Sequence, residues 1–299
     1  MAPLLLVATG DTIAHRASSV ASGQELLELS GFTATRVVVE DVLAEPSWDT
    51  SVSTQLALAR RVRTALLDEG FAGVVVTHGI DTLEETAFLT DLLVGPAAAR
   101  GTVVFTGAAR PLSDPTADGP GNLAAALAAA AAKALRGLGV VVCLDDELHA
   151  AQLFPGSRPL GLVVAGEPRL TEAPPPRPPR VGSAPETDVA LIRTYPGMTP
   201  ALLTTATDAG ARGLVLEGTG AGNVPVELFI TIDELTTWDI PVVVASRAPG
   251  AGIGLAERIG AISARGLPAG KARMALMAAL GDGGGVAAAR KWFDTYQAR

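Results

Sequence analysis

Short apolar runs alternate with amphipathic or Ala-rich stretches along most of this chain. Leu4–Ala8 has strand length and stops at the polar residues Gly10-Asp-Thr12. Thr35–Val39 predicts the next strand, and Thr54–Glu69 a helix with apolar residues near helical spacing. Val74–Val76 predicts a strand that ends at Thr77-His-Gly79 and turns directly into a helix over Leu83–Leu93. Thr102–Phe105 and Gly139–Leu144 are further strands. Between them an Ala-rich helix begins near Asn122, a residue type suited to capping. Ala14–Gly23 has no apolar period and contains three serines, which predicts a mobile loop over the site before a short helix, Gln24–Leu29. Regular alternation of strand and helix calls for a parallel sheet covered on both faces, with right-handed crossovers.

The pattern breaks between Glu172 and Pro185, where six prolines leave few backbone donors and favour an extended linker. The expected organisation is an N-terminal α/β domain over 1–171 that carries the pocket, a Pro-rich linker over 172–188, and a smaller C-terminal α/β domain over 189–299. In the latter, strands are expected at Val189–Arg193, Gly213–Leu216 and Pro241–Ala245. Helices are expected at Pro200–Gly210, Glu227–Thr237, Lys271–Leu280 and Gly285–Gln297.

Composition narrows the function. The 299 residues are 48% hydrophobic and 18% charged, enough apolar material for a substantial core. A formal net charge of −8 argues against nucleic acid and anionic membrane as general partners. The single cysteine, Cys143, lies in an apolar run and reads as core packing; it excludes an internal disulfide framework and suits a reducing compartment. No apolar run approaches the ~20 residues of a membrane span. Met1–Ala8 has no basic segment and reads as a first strand rather than a signal peptide. The expectation is a soluble cytoplasmic protein. The sequence has no metal-spaced His/Cys set and no Gly-x-Ser-x-Gly elbow. Gly218–Asn223 is glycine-rich but lacks the Lys-Ser/Thr of a phosphate loop, so no cofactor is expected.

Two polar strand tips remain as candidate chemistry, Thr9-Gly-Asp-Thr12 and Thr77-His-Gly-Ile-Asp-Thr82. Ligands of open parallel sheets are held at the carboxyl ends of the strands, so the two tips point to one shared site. Asp81 and Thr82 fall at a helix start, where free N–H groups favour an anionic group.

Ala8-Thr-Gly-Asp-Thr-Ile-Ala14 and Thr77-His-Gly-Ile-Asp-Thr-Leu-Glu-Glu-Thr-Ala87 together resemble the two signatures of the bacterial-type L-asparaginase family. Thr106-Gly-Ala-Ala-Arg-Pro111, Thr116–Leu123, Asp146–Ala151, Tyr195–Met198, Gly218–Pro225 and Gly270–Arg273 extend the match over nearly the whole chain. The resemblance implies a larger flavodoxin-like N-terminal domain, a smaller C-terminal α/β domain, and a homodimer or homotetramer with sites at the dimer interface. It also implies an amino-acid-like small-molecule ligand, and hydrolysis of a side-chain amide by a threonine nucleophile. On this match Thr12 is the first catalytic threonine and Asp81 the aspartate of the second signature. Ser47 is the serine that binds the substrate's α-carboxylate, and Gly79, Ile80 and Trp48 line the substrate pocket. Asn223 is the residue that reaches a neighbouring subunit's site, and Glu257 is the local candidate for its acidic companion.

The chain departs from the family pattern where the chemistry is concentrated. Ile80 replaces the second threonine and offers no hydroxyl. Ala150-Ala-Gln-Leu-Phe-Pro-Gly-Ser-Arg158 contains no lysine where the family has one; the chain's lysines are Lys133, Lys271 and Lys291, and Arg158 cannot act as a base. Asp11 stands where the family has glycine. It is open to three readings: a turn cap, an occupant of the substrate's place, or a base for Thr12, with the like-charged Asp81 raising one pKa of the pair. Two functional readings follow. One is an asparaginase-like amidohydrolase with altered machinery at Thr12, Asp11 and Asp81, and with weak or no L-asparagine hydrolysis. The other is an inactive or repurposed relative that binds a small molecule or runs a different reaction.

Overall fold

The computed structural model describes residues 2–42, 45–156, 158–182, 184–248 and 256–296. It divides into two compact units, Met1–Arg177 and Pro178–Arg299, with the division inside the Pro-rich stretch.

The first unit begins β1 (Leu4–Ala8), α1 (Gly23–Ser30), β2 (Val37–Asp41), α2 (Val52–Leu67), β3 (Gly73–Thr77) and α3 (Leu83–Val94). It continues β4 (Thr102–Thr106), α4 (Gly119–Ala131), β5 (Val140–Leu144), β6 (Glu147–Ala150), β7 (Gly161–Val164) and β8 (Glu167–Leu170). Among the described residues these strands form one sheet in the order β2-β1-β3-β4-β5-β6-β7-β8. The first five are parallel, in the flavodoxin-like order. β1, β3 and β4 are buried along their whole length, which is why they read as continuous apolar runs rather than alternating ones.

Successive residues of each strand feed opposite faces. Leu4, Leu6, Val75, Val104 and Val141 pack with Leu26 of α1 and with Leu123 and Leu127 of α4. Leu5, Val7, Val74, Val76, Val103 and Phe105 pack with Leu58 and Val62 of α2 and with Leu83 and Ala87 of α3.

The parallel-sheet expectation holds for the core and misses an annex. β6, β7 and β8 continue the sheet antiparallel. Two short turns make this possible, Asp145-Asp146 (φ 49° and 61°) and Ala165-Gly166 (φ 51° and 76°). Positive φ at both central residues is the hairpin geometry that matches strand twist, and Asp and Gly tolerate it. Asn122 is also corrected: it does not cap α4 but lies buried inside its first turns, where its amide bonds Gly107 O (3.0 Å) and accepts from Asp145 N–H (2.9 Å).

The second unit carries β9 (Val189–Arg193), α5 (Ala201–Asp208), β10 (Gly213–Gly218), α6 (Phe229–Thr237), β11 (Val242–Ser246), β12 (Ile262–Ser263), α7 (Ala269–Ala279) and α8 (Val286–Thr295). Its sheet runs β12-β11-β10-β9, all parallel. Leu203, Leu214, Leu216, Ile232, Leu235 and Val244 form its core. Among the described residues no helix is long and apolar enough to cross a membrane.

Candidate active site

β1 and β3 are neighbours in the sheet, so their carboxyl ends lie side by side. Two threonines that the sequence reading left out of the site join them. Thr9 N–H donates to Thr77 Oγ1 (3.1 Å), and the Thr9 hydroxyl donates to Thr77 O (2.6 Å). Strand propensity and position mark both as tip residues, but nothing in the sequence pairs them.

Beyond this junction the chain takes an unusual path. Asp11 has φ 65° and ψ −166°, a region populated almost solely by glycine; a side chain there costs of order 1–3 kcal/mol unless its surroundings hold it. Its surroundings do. Asp11 Oδ1 accepts from Thr12 N–H (2.5 Å) and from the Thr12 hydroxyl (3.0 Å). Oδ2 accepts from Ser47 N–H (2.6 Å), on a segment 36 residues away. The Ser47 hydroxyl, itself buried, faces the same carboxylate without a well-aligned bond. Asp11 is only 1% exposed. Burial alone would raise its pKa, but these donors outweigh it and hold the carboxyl below its usual value. The rise anticipated from a like-charge partner is therefore not what Asp11 displays.

The rest of the second tip closes around this carboxylate. A Cβ on Gly79 would fall 1.9 Å from Asp11 Oδ2 and 2.3 Å from Ser47 Oγ, so only glycine fits. The Thr82 hydroxyl donates to Ser47 O (2.9 Å) and so fastens the Ser47 turn to the start of α3 instead of capping that helix. His78 is buried, with Nδ1 2.8 Å from Gly79 O, and burial pushes its pKa down. It is a neutral structural residue inside the tip.

The remaining candidates face outward. Ile80 is 44% and Trp48 67% exposed, whereas Asp11 is buried. Asp81 is exposed, and among the described residues no hydrogen bond joins it to Thr12. Asn223, in the second unit, is exposed and closes a tight turn with Thr219 through reciprocal backbone bonds of 2.8 Å. Glu257 pairs with Arg265 at 3.2 Å.

Beside Ile80 lies a cavity of about 310 Å³. Ile80, Leu144 and Phe154 give it apolar walls, and Glu84, Asp118 and Asp145 give it acid. Burial favours a neutral Asp118, but N–H groups of Ala109 (2.9 Å) and Arg110 (2.8 Å) prevail and hold its carboxyl low. Among the described residues no cluster of His, Cys, Asp or Glu is suited to hold a metal. The arrangement can do two things chemically. It can polarise the Thr12 hydroxyl toward a carboxylate at general-base distance. It can also receive a small ligand against an apolar, acid-rimmed wall.

Similarity to known proteins runs along both units. Residues 3–154 match the family model for the asparaginase N-terminal region, and residues 188–293 that for the glutaminase/asparaginase C-terminal domain. A relative from Saccharomyces cerevisiae, L-asparaginase 2-3, is 30% identical over 225 residues, covering 64% of this chain and 59% of its own length. A glutaminase-asparaginase of Pseudomonas fluorescens biotype A is 28% identical over 286 residues, covering 84% of this chain and 77% of its own. The crystal structure of a probable cytoplasmic L-asparaginase from Campylobacter jejuni superposes with a TM-score of 0.86 at 27% identity, over 99% of this chain and 100% of that one. With both family models matched in order and the flavodoxin-like sheet in place, the chain belongs to the asparaginase family.

Proposed function

We propose that this protein is an asparaginase-family amidohydrolase whose site is rebuilt around Asp11, with weak or no hydrolysis of L-asparagine. The observation that carries the reading is the Thr12 hydroxyl, which donates to Asp11 Oδ1 at 3.0 Å. That is the separation of a nucleophile from its base. A base works best when its pKa lies near the working pH, and Asp11 is held well to the acid side of that, so it draws the Thr12 proton weakly. Ile80 supplies no second hydroxyl, and Asp81 stands exposed rather than locked to Thr12. In this reading Thr12 is the nucleophile, Asp11 and Asp81 share its proton traffic, Ser47, Trp48, Gly79 and Ile80 bound the substrate, and Asn223 serves a neighbouring subunit's site. The N-terminal domain (1–171) carries the pocket, and the Pro-rich linker (172–188) leads to the smaller domain (189–299). The protein works in the cytoplasm as a homodimer or homotetramer, with a partner covering the exposed Trp48 at the site's edge.

The low pKa of Asp11 equally favours a second reading, a repurposed relative that binds a small molecule without hydrolysing it. Ammonia release from L-asparagine and L-glutamine decides between them. Turnover is expected below the usual enzymatic range of roughly 1–10³ per second; a rate inside that range overturns the proposal. Any residual activity is expected to vanish in Thr12→Ala, and Ile80→Thr alone is expected not to restore a family-like rate.

A further inference from the structure

We infer that Asp11 is an internally supplied carboxylate filling the anion-recognising corner of the site, so that the site takes neutral or cationic amides and excludes ligands bearing a carboxylate at that end. This deepens the amidohydrolase reading and rests on it for the word amide.

Four polar groups surround one carboxylate: the N–H groups of Thr12 and Ser47, the Thr12 hydroxyl, and the buried Ser47 hydroxyl. Two of them come from a turn 36 residues distant in the chain, so this is a receptor assembled by the fold and not a local cap alone. Thr82 holds the distant half in place through Ser47 O. The receptor is full. Oδ2 and Ser47 Oγ already crowd the Gly79 backbone so closely that even a methyl group has no room there, and a second carboxylate has none. The side chain is kept although its backbone sits where glycine is at home.

The surroundings reinforce the exclusion. The cavity beside Ile80 is faced by Glu84, Asp118 and Asp145, and Asp81 is exposed next to Ile80; Arg110 lies 3.6 Å from Asp118. A second negative charge brought into this field is repelled, and a positive one attracted. The apolar walls of Ile80, Leu144 and Phe154 accept a short aliphatic body. The ligand class is thus a primary amide with an aliphatic body and a neutral or ammonium end.

The test removes the internal carboxylate and offers a free one. Asp11→Gly relaxes the backbone and empties the receptor, so sodium formate is expected to raise its Tm saturably, by several degrees, against sodium chloride at equal ionic strength. Wild type and Asp11→Asn, whose corners stay filled, are expected not to respond. Asp11→Ser vacates the same corner and gives the same measurement should the glycine variant fail to fold. Absence of a formate effect in the emptied variants, or an equal effect in wild type, overturns the inference. In a second arm, ammonia release is compared for butyramide and succinamate. Wild type is expected to prefer butyramide by roughly tenfold or more, and an equal or better rate with succinamate overturns the inference. Formate binding without any amide turnover sinks the hydrolase reading and leaves the role of Asp11 standing. Amide turnover without formate binding does the reverse.

Discussion

At the scale of single residues, the site is held by one carboxylate and one missing side chain. Asp11 is ionised in the fold at a pH where the unfolded chain, with an Asp pKa of about 3.9, begins to protonate. Its contribution is therefore complete above pH ~4 and is lost as pH falls through the lowered folded value. Asp11→Asn is expected to cost about 1–3 kcal/mol near neutrality and to flatten the acid side of the stability curve. Denaturant titrations at pH 7 and pH 3 check both. Gly79→Ala places a methyl group onto Asp11 Oδ2 and Ser47 Oγ, and is expected to destabilise by about 1–3 kcal/mol, read from the denaturation midpoint. An unchanged midpoint would mean that the tip yields easily. The sequence made Asp11, Thr12, Ser47 and Gly79 legible as candidates through motif position. It did not show that Asp11 and Ser47 share a carboxylate, because that bond joins residues 36 apart and depends on a positive φ that no side-chain pattern announces.

At the scale of elements, the helices and, apart from the two-residue β12, the parallel strands of both sheets were legible to within a few residues, because buried parallel strands are uninterrupted Val- and Leu-rich runs. β6–β8 were not legible. They are four residues each, only partly buried, and joined through Asp-Asp and Ala-Gly turns that resemble ordinary loop sequence. The Pro-rich stretch was read as a spacer, yet its first half is fastened. Arg177 bonds the buried Asp91 of α3 through Nη1 and its carbonyl through Nη2 (3.0 Å), and Gln152 donates to Pro176 O (2.9 Å). Asp91 also receives Val140 N–H at 2.6 Å, so this contact ties α3, β5 and the strap together. Arg177→Ala is expected to lower stability by about 2 kcal/mol and to speed proteolysis near Pro176. Unchanged cleavage kinetics would reduce the contact to decoration. In β5, burial with some help from Asp146 pushes the Cys143 thiol up to about 12. Thiol reagents are expected to label it only at the rate of global unfolding.

At the scale of the whole molecule, family membership establishes the fold, and the rebuilt site chemistry is our proposal. The fold follows from the apolar pattern, whereas function resides in a few side chains placed on it. Exposed Trp48, Val226, Ile230 and Trp238 are large apolar groups of the kind a subunit interface covers. Light scattering is expected to return at least twice the single-chain mass, and Trp48→Glu to shift that mass downward. A monomer at micromolar concentration would remove the oligomeric part of the proposal.

The β6–β8 annex has a consequence outside catalysis. A sheet whose last strand were β5 would end on Val140–Leu144, an apolar edge of the kind that recruits foreign strands. The chain instead ends this sheet on Glu-Pro-Arg-Leu, with a proline that has no N–H to offer and with charges on either side of it. β8 thus works as a selvedge, a finished border that keeps neighbouring chains from knitting onto the sheet. Its value would be felt most during synthesis and refolding, when borders are exposed and aggregation competes with folding.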